Sequence, residues 1–294
     1  MNEKVFLHYT QAELDRNYDQ RGWIKNAEEI IARYPIRSAE ARRALVHGKN
    51  IAYGPAADEI LDIFPTTVAG APTLIFIHGG AWRNFTKDDH SFVADALVPA
   101  GIHVVVVNFS KIPKVRLPDA VMQARRSIAW VSRHASEFGG TSDKLYVCGH
   151  SSGAHMTAMA TLTDWSAFDL PSDTLKGATC ISGSYDLEPV LLSARSSYIK
   201  LDQQEQVALS PVRHAPLIPC PILIAYAEHD TDEFQRHSQE FAAALQKSNR
   251  LSDRIRLPNV NHFEIIELLA ESKSVLLRTV LRHIEVSTKQ TELS

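Results

Sequence analysis

The sequence predicts an α/β fold, in which a mostly parallel central sheet is covered by helices on both faces. Two observations lead to this prediction. From residue 73 onwards, short continuous apolar runs alternate with longer helix-like segments, and the run at 103–109 has four consecutive valines at its centre. In addition, the pentapeptide Gly149-His150-Ser151-Ser152-Gly153 lies directly between an apolar run and a helix-like run. The chain has 294 residues, of which 45% are hydrophobic, and this suits one large domain with a substantial core.

The first 48 residues are rich in charged residues and helix formers, and they carry no evident chemistry. Short helices are predicted over residues 12–18, 26–34 and 38–46, with Pro35 as a break between the last two. Two short strands follow over residues 50–53 and 59–64, and Gly54-Pro55 separates them.

The remainder of the chain contains the predicted alternation of strands and helices. Strands are predicted over residues 73–77, 103–109, 144–148, 178–182, 221–227 and 254–257. Helices are predicted over residues 89–98, 117–134, 152–163, 231–246 and 264–283, the last in one or two pieces.

One stretch, residues 184–215, is too long for a plain connection between two strands, and three prolines punctuate it or follow it closely. In an open α/β sheet, insertions of this kind lie above the C-terminal strand ends, where ligands bind. We therefore predict a helical lid made of residues 184–215 together with the N-terminal segment 1–48. The α/β domain itself would span residues 49–294.

Composition and charge narrow the function classes. The chain has 31 basic and 34 acidic residues, a net charge of −3, which gives no reason to expect a nucleic acid or an anionic membrane as partner. No apolar run approaches the ~20 residues of a membrane span, and the first residues lack a signal-peptide pattern. We expect a cytoplasmic protein with a small-molecule partner. The three cysteines, Cys148, Cys180 and Cys220, lie in or beside apolar runs and are expected to be buried without disulfides.

Ser151 is the candidate nucleophile. A strand, Gly-x-Ser-x-Gly and a helix in succession place a serine on a sharp turn, where the glycines relieve crowding and the hydroxyl stands exposed. The dipole of the following helix favours negative charge near its N-terminus.

His262 is the candidate base, because it follows the last predicted strand. A serine hydroxyl is a poor nucleophile unless a base removes its proton. His150 and His155 are too close to the turn to curl back onto it, and we expect them to pack locally or line the pocket. His229 and His237 show no metal-ligand pattern and are expected to be solvated.

The carboxylate that orients the histidine is expected at the end of the strand over residues 221–227, where four acids follow in six residues. Asp230 is the first choice, at the turn between strand and helix, and Glu228 is the alternative. Asp232 and Glu233 fit the first turn of the next helix better, since negative charge there offsets the helix dipole. The chain order Ser151, Asp230, His262 is the order of the α/β hydrolases.

A pair of backbone donors for a tetrahedral oxyanion is expected in His78-Gly79-Gly80-Ala81-Trp82, which follows the strand over residues 73–77. Two adjacent glycines allow Gly79 and Gly80 to turn their N–H groups toward a substrate carbonyl, and the N–H of Ser152 completes the set. The alternative is an ordinary glycine turn. The position after this strand and before Ser151 favours an oxyanion hole.

With these parts assembled, the chain resembles the α/β hydrolases of the hormone-sensitive-lipase-like branch, and most closely the serine-dependent kynurenine formamidases (arylformamidases). His78 to Trp82 stands where esterase relatives have HGGG. Four other segments are similar to the family's sequences, with the acid and histidine motifs in the last two: residues 53–64, 182–189, 229–234 and 261–267.

The resemblance implies an α/β-hydrolase fold and hydrolysis of a small amide or ester through an acyl-enzyme, with Ser151, His262 and Asp230 as catalytic residues. It favours an aryl formamide such as N-formylkynurenine as substrate. No metal or organic cofactor is needed for this chemistry. Three aromatic residues near motif ends are candidates to pack an aromatic leaving group, with core or lid packing as the alternative: Trp82, Phe109 and Tyr185.

Other functions stay open at this point. One is a carboxylesterase, or an amide or imide hydrolase, of another small-molecule catabolic pathway. Another is a non-catalytic binding module that has kept the fold. A homodimer formed through an edge strand or the N-terminal helices is also open.

Overall fold

The computed structural model describes the backbone of residues 3–292, and their side chains except those of residues 286 and 289–292. Ten strands lie in this part of the chain: β1 Lys4–Phe6, β2 Tyr9–Thr10, β3 Gly48–Ala52, β4 Ile60–Phe64, β5 Ala71–Ile77, β6 His103–Val107, β7 Gly140–His150, β8 Gly177–Ile181, β9 Ile222–Ala227 and β10 Leu251–Leu257. The α-helices of the same part are α1 Gln11–Asn17, α2 Gln20–Trp23, α3 Ala27–Ala44, α4 Ala94–Leu97, α5 Leu117–His134, α6 Ser152–Thr161, α7 Leu187–Leu192, α8 Gln203–Ala208, α9 Asp232–Lys247, α10 Glu264–Glu267 and α11 Val275–Glu292. Short 3₁₀ helices occupy Lys87–Asp89, Ser91–Val93, Ala135–Phe138, Trp165–Phe168, Ala194–Ser197, Pro211–Leu217 and Leu268–Ala270.

Eight strands form the central sheet, in the order β10-β9-β8-β7-β5-β6-β4-β3. The strands from β10 to β6 are parallel, whereas β4 runs antiparallel to both β6 and β3. Helices cover both faces, so the predicted α/β class with a mostly parallel sheet is confirmed.

The core consists of two apolar layers, one on each face of the sheet. Along β5, Ile75 and Ile77 belong to one layer and Leu74 and Phe76 to the other, because successive side chains of a strand point to opposite faces. The first layer is completed by α5, α6 and α9, and the second by α3, α4 and α11. Burial on both faces explains why the sheet strands are continuous apolar runs rather than alternating ones.

The central strands and the long helix α5 lie where the sequence predicts them. Strand β7 extends beyond the predicted residues 144–148 at both ends, and β10 starts before residue 254. The helix predicted over 89–98 is wrong in detail, because a 3₁₀ turn at Ser91–Val93 precedes the short α4. The C-terminal helical region is divided, with a 3₁₀ turn at Leu268–Ala270 between α10 and α11.

The predicted break at Pro35 is wrong, because α3 continues through it. A proline inside a helix removes one hydrogen bond and crowds the preceding turn. Packing on both sides of Pro35 offsets this cost. Ile30 and Tyr34 are buried before it, Ser38 is buried after it, and the hydroxyl of Tyr34 donates to the carbonyl of Phe263 at 2.5 Å.

Two segments that we call the cap, residues 11–23 and 187–217, contact each other near the C-terminal edge of the sheet. Asp15 accepts a hydrogen bond from the amide of Ala194 at 2.6 Å, and Arg195 donates to the carbonyl of Tyr18. The β1–β2 hairpin, which the sequence analysis did not predict, precedes the first of these segments.

The strand order reverses at β5, because β6 lies on one side of it and β7 on the other. Ligands of open α/β sheets bind in the crevice beyond the C-terminal ends of the strands at such a reversal. Residues 78–82 follow β5 and residues 151–153 follow β7, so both motifs singled out from the sequence lie at this crevice.

Two further observations concern membrane-spanning helices and the cysteines. None of the helices formed by residues 3–292 is both long enough and apolar enough to cross a lipid bilayer. Cys148, Cys180 and Cys220 are buried free thiols, as predicted.

Candidate active site

Ser151 lies on a strained turn between β7 and α6. Its backbone has φ 55° and ψ −122°, a conformation that L-residues rarely adopt, and its amide donates to the carbonyl of Ile181 at 2.8 Å. The glycines on either side are required by close backbone contacts. A Cβ atom on Gly153 would lie 2.1 Å from the carbonyl oxygen of Ile77, and one on Gly149 would lie 2.3 Å from that of Gly153.

His262 contacts both Ser151 and Asp230. Its Nε2 atom lies 2.9 Å from Ser151 Oγ, and its Nδ1 atom lies 2.6 Å from Asp230 Oδ1. All three residues are at most 5% exposed. The structure therefore brings together the predicted hydroxyl, imidazole and carboxylate. In the sequence, Ser151 and Asp230 are 79 positions apart, and Asp230 and His262 are 32 positions apart.

The carboxylate of Asp230 is held from its other oxygen. Ser182 Oγ donates to Asp230 Oδ2 at 2.6 Å, and the amide of Ala227 donates to the same oxygen at 2.9 Å. Sequence reasoning did not assign Ser182 a role. It directly follows β8, which lies between β7 and β9, and this neighbouring position at the same edge of the sheet was the signal that could have identified it.

The competing acids lie elsewhere. Glu228 accepts from the amide of Asn259 at 2.8 Å and pairs with Arg256 at 3.2 Å, and its pKa is lowered mainly by the hydrogen bond from Asn259. Asp232 and Glu233 occupy the first turn of α9, as predicted.

The glycine loop after β5 faces the same cavity as Ser151. Gly80 has φ 111°, and a Cβ atom on it would lie 2.3 Å from the carbonyl oxygen of Asn84. The amide of Trp82 donates to Ser152 Oγ at 3.1 Å, which ties this loop to the start of α6. Among the residues that the structure describes, the amide N–H groups of Gly79, Gly80 and Ser152 find no acceptor, so they are free to bind one from a substrate.

His150 supports the backbone of the candidate base. Its Nε2 atom donates to the carbonyl of His262 at 2.8 Å, and this bond fixes the neutral tautomer with the proton on Nε2. Burial, followed by the neighbouring His262 and His90, lowers the pKa of His150 well below its usual value. His150 lines the cavity. His155 instead packs in the core and donates from Nε2 to the carbonyl of Leu209.

Two more histidines are buried near the glycine loop. Burial lowers the pKa of His78 to about 3 and that of His90 to about 4, and their rings stack at 5.5 Å. Both therefore stay neutral at ordinary pH, and only His90 of this pair lines the cavity.

The cavity beside Ser151 has a volume of about 410 Å³. Its lining includes residues of the cap, the glycine loop and the C-terminal part of the chain. The Phe and Tyr members are Tyr18, Tyr34, Phe85, Tyr198 and Phe263, and the Asp and Arg members are Asp15, Asp19, Arg21, Arg83 and Arg195. Aromatic walls with a few polar groups are typical of small-molecule sites.

The prediction that three aromatic residues contact the substrate is wrong, because none of them lines the cavity. Trp82, Phe109 and Tyr185 are fully buried and do not line the cavity. Trp82 packs edge-on against His155, and Phe109 stacks on His78 at 4.5 Å. Their side chains occupy the core, which is the alternative that the sequence left open.

The expectation of a solvated His237 is also wrong, whereas His229 is exposed. His237 Nε2 lies 2.7 Å from the hydroxyl of Tyr18, and its Nδ1 atom accepts from the amide of Tyr185 at 3.3 Å. Burial lowers its pKa well below the usual value. Helix α9 turns this residue inward against the cap.

Within residues 3–292, no group of three or more His, Cys, Asp or Glu side chains is arranged to hold a metal ion.

Comparison with known proteins gives relatives of one general kind. A family model described as "Prolyl oligopeptidase family" matches residues 124–281, and a model named BD-FAE matches residues 61–180. Kynurenine formamidase of Salmo salar is 33% identical over 284 residues, which cover 92% of this chain and 95% of the relative. Esterase LipQ of Mycobacterium tuberculosis is 29% identical over 75% of this chain and 58% of the relative. A crystal structure of a protein from Silicibacter sp. TM1040 superimposes with a TM-score of 0.80 at 24% identity, covering 90% of this chain and 98% of that chain.

Proposed function

Because the chain belongs to the kynurenine formamidase family, and to the prolyl oligopeptidase family whose model spans more than half of it, we propose that it hydrolyses an aryl formamide such as N-formylkynurenine. The protein is a serine-hydrolase-type enzyme with an α/β-hydrolase fold, and it acts on a small amide or ester. The proposed mechanism rests on one observation, namely that His262 lies in hydrogen-bond contact with both Ser151 and Asp230. The choice of an aryl formamide rests on the 33% identical kynurenine formamidase.

In the first half of the proposed reaction, Ser151 Oγ attacks the formyl carbonyl while His262 Nε2 takes the hydroxyl proton. Asp230 holds the Nδ1–H tautomer of His262 and stabilises the imidazolium that forms. The free amides of Gly79, Gly80 and Ser152 stabilise the negative charge on the carbonyl oxygen by donating hydrogen bonds to it. When the intermediate collapses, the C–N bond breaks and His262 returns the proton to the leaving arylamine.

In the second half, a water molecule attacks the formyl ester on Ser151, and His262 takes a proton from that water. The new intermediate collapses by breaking the bond to Ser151 Oγ, which recovers its proton from His262. Formate leaves, and the enzyme returns to its starting state. We assign the cap the role of a lid that limits access of bulk water during this sequence.

The cavity offers apolar surface to an aromatic leaving group. Gly79 lies against Ser151, and a Cβ atom on it would meet both Ser151 Cβ at 3.1 Å and His150 Nδ1 at 3.2 Å. The peptide of Gly79 therefore lies beside the nucleophile, where its amide can donate to the oxyanion. The aromatic residues of the 410 Å³ cavity provide apolar surface for an aryl ring.

A carboxylesterase is the second candidate, because an esterase is among the relatives and the same residues cleave esters by the same steps. The two candidates differ in the bond that the site prefers.

Specificity constants separate them. We expect kcat/KM for N-formylkynurenine to exceed that for short p-nitrophenyl esters, and the reverse order would favour the esterase. Ser151→Ala should reduce either activity by a factor on the order of 10⁶ and abolish labelling by a fluorophosphonate probe. Retention of most activity by this variant, with its fold intact by circular dichroism, would remove Ser151 from the proposed role.

A further inference from the structure

Arg195 is a buried cation that lines the cavity beside Ser151. It lies in the 3₁₀ turn Ala194–Ser197 of the cap and is 8% exposed. Its guanidinium lies over two aromatic rings, 5.4 Å from the centroid of Tyr18 and 5.8 Å from that of Phe234. Neither ring removes the need of a buried cation for a negatively charged partner.

The hydrogen bonds of Arg195 all go to uncharged acceptors. Nε and Nη2 donate to the carbonyl of Tyr18 at 3.1 and 2.8 Å, and Nη2 also donates to Gln20 Oε1 at 2.8 Å. Within the described part of the chain, Nη1 makes no hydrogen bond. No carboxylate there lies within 4.0 Å of this guanidinium.

Two other cations that are largely shielded from solvent pair with carboxylates. Lys87, 1% exposed, pairs with Asp62 at 3.0 Å and with Asp88 at 2.8 Å. Arg236 pairs with Glu233 at 2.8 Å, and the charge of that neighbouring glutamate is therefore already balanced. A buried charge without an ionic partner is costly, and clefts are where such groups serve a ligand.

Four other charged residues line the cavity, and one of them, Arg21, pairs with Glu28 at 3.3 Å. Arg83 also lines the cavity, is exposed, and has its guanidinium 4.5 Å from the centroid of the Tyr198 ring, with no carboxylate partner among the described side chains. The carboxylate of Asp15 accepts from the amide of Ala194, and that of Asp19 accepts from the amide of Gly22. Both acids are therefore engaged in holding the cap.

We propose that Arg195, assisted by Arg83, binds a carboxylate on the leaving group of the substrate and thereby selects aryl formamides that carry a carboxylate over those that do not. This inference rests on the proposed function. The carboxylate belongs to the leaving group because the acyl group of the proposed substrate is a formyl group, which carries no carboxylate. The free Nη1 group of Arg195 supplies the charge-assisted donor.

Two substrate pairs, in each of which one member has no carboxylate, test this inference. The first is N-formylkynurenine and neutral formanilide, and the second is 3-acetoxybenzoate and its methyl ester. We expect Arg195→Met to reduce kcat/KM for N-formylkynurenine by roughly 30-fold, mainly through KM, since hydrogen bonds to charged groups contribute about 1.5–3 kcal/mol. The activity on formanilide should change less than about threefold, because the loss of one ligand contact does not alter the triad. Arg116→Met is the control, since Arg116 pairs with Glu205 on the exposed surface and does not line the cavity.

The outcomes are distinguishable from failure of the proposed function. If the wild type cleaves only the ester pair, the formamidase proposal fails, and the effect of Arg195→Met on the acidic ester still decides the role of Arg195. An equal loss on both members of a pair, or no loss on either, overturns the carboxylate site.

A measurement on the wild type avoids any folding defect of the variant. Kynurenine and kynuramine carry the same arylamine and ammonium groups, but only kynurenine has the carboxylate. We expect kynurenine to inhibit at a concentration at least about tenfold lower. Equal inhibition by the two compounds overturns the inference.

Discussion

Ser182 donates a hydrogen bond to Asp230, with 2.6 Å between Ser182 Oγ and Asp230 Oδ2, and both residues are buried. The amide of Ala227 donates to the same oxygen. With Oδ2 occupied by these two donors, Oδ1 is directed at His262. The serine thus fixes which oxygen of the carboxylate contacts His262.

Ser182→Ala should lower kcat about tenfold and leave KM nearly unchanged. The variant loses a hydrogen bond to a charged group, and Asp230 then holds His262 less firmly in the orientation that the reaction needs. Steady-state kinetics on N-formylkynurenine or an activated ester would measure this. Ser166→Ala, at an exposed turn where Ser166 contacts Asp164, is the control and should leave both constants unchanged. A rise in KM at constant kcat would mean that Ser182 acts on substrate binding instead.

Asp230→Asn should lower kcat by about 10⁴, as replacement of the triad aspartate does where the amide selects the wrong tautomer of the histidine. Glu228→Gln is the matched change two residues away, and we expect it to leave kcat within about threefold, because Glu228 contacts Asn259 and Arg256 rather than His262. Kinetics of both variants on one substrate decide the assignment. If Glu228→Gln is the damaging change, the acid was assigned wrongly.

The positions of the triad could be predicted because they depend on chain order and strand ends. In a parallel sheet, all carboxyl ends of strands lie at one edge, so Ser151 after β7, Asp230 after β9 and His262 after β10 are expected on the same side of the molecule. The glycine loop after β5 follows from the same reasoning.

Side-chain direction could not be predicted in this way. Trp82 and Phe109 stand at the right edge of the sheet but turn into the core, and His237 lies on the inward side of α9. These directions depend on packing between segments far apart in sequence. Tyr18, which contacts His237 from 219 residues away, is one example. The continuity of α3 through Pro35 has the same origin, since tertiary packing outweighs a local preference.

Gly153→Ala should destabilise the protein by at least about 3 kcal/mol, because a Cβ atom 2.1 Å from the carbonyl oxygen of Ile77 forces β5 and α6 apart. Urea-induced unfolding would measure the change. Gly48→Ala is the control, since its new Cβ atom would meet only the flexible end of Ile51 closely, at 2.9 Å. Equal stability of the two variants would contradict the tight contact at the turn.

Acid should weaken the fold through its buried histidines, and His155 offers the clearest test. Burial lowers the pKa of His155 to about 4, whereas an unfolded histidine has a pKa of about 6.5. Between these values the unfolded chain binds more protons than the folded one, so the free energy of unfolding falls as the pH drops. The stability contribution is complete above about pH 6.5 and is lost progressively down to about pH 4.

His155→Gln should reduce the difference in unfolding free energy between pH 7.5 and pH 4.5 by about 2 kcal/mol. His229→Gln, at an exposed site, should leave that difference unchanged. Urea titrations at the two pH values measure it for each variant, and an unchanged difference in His155→Gln would show that this histidine is not held neutral by the fold.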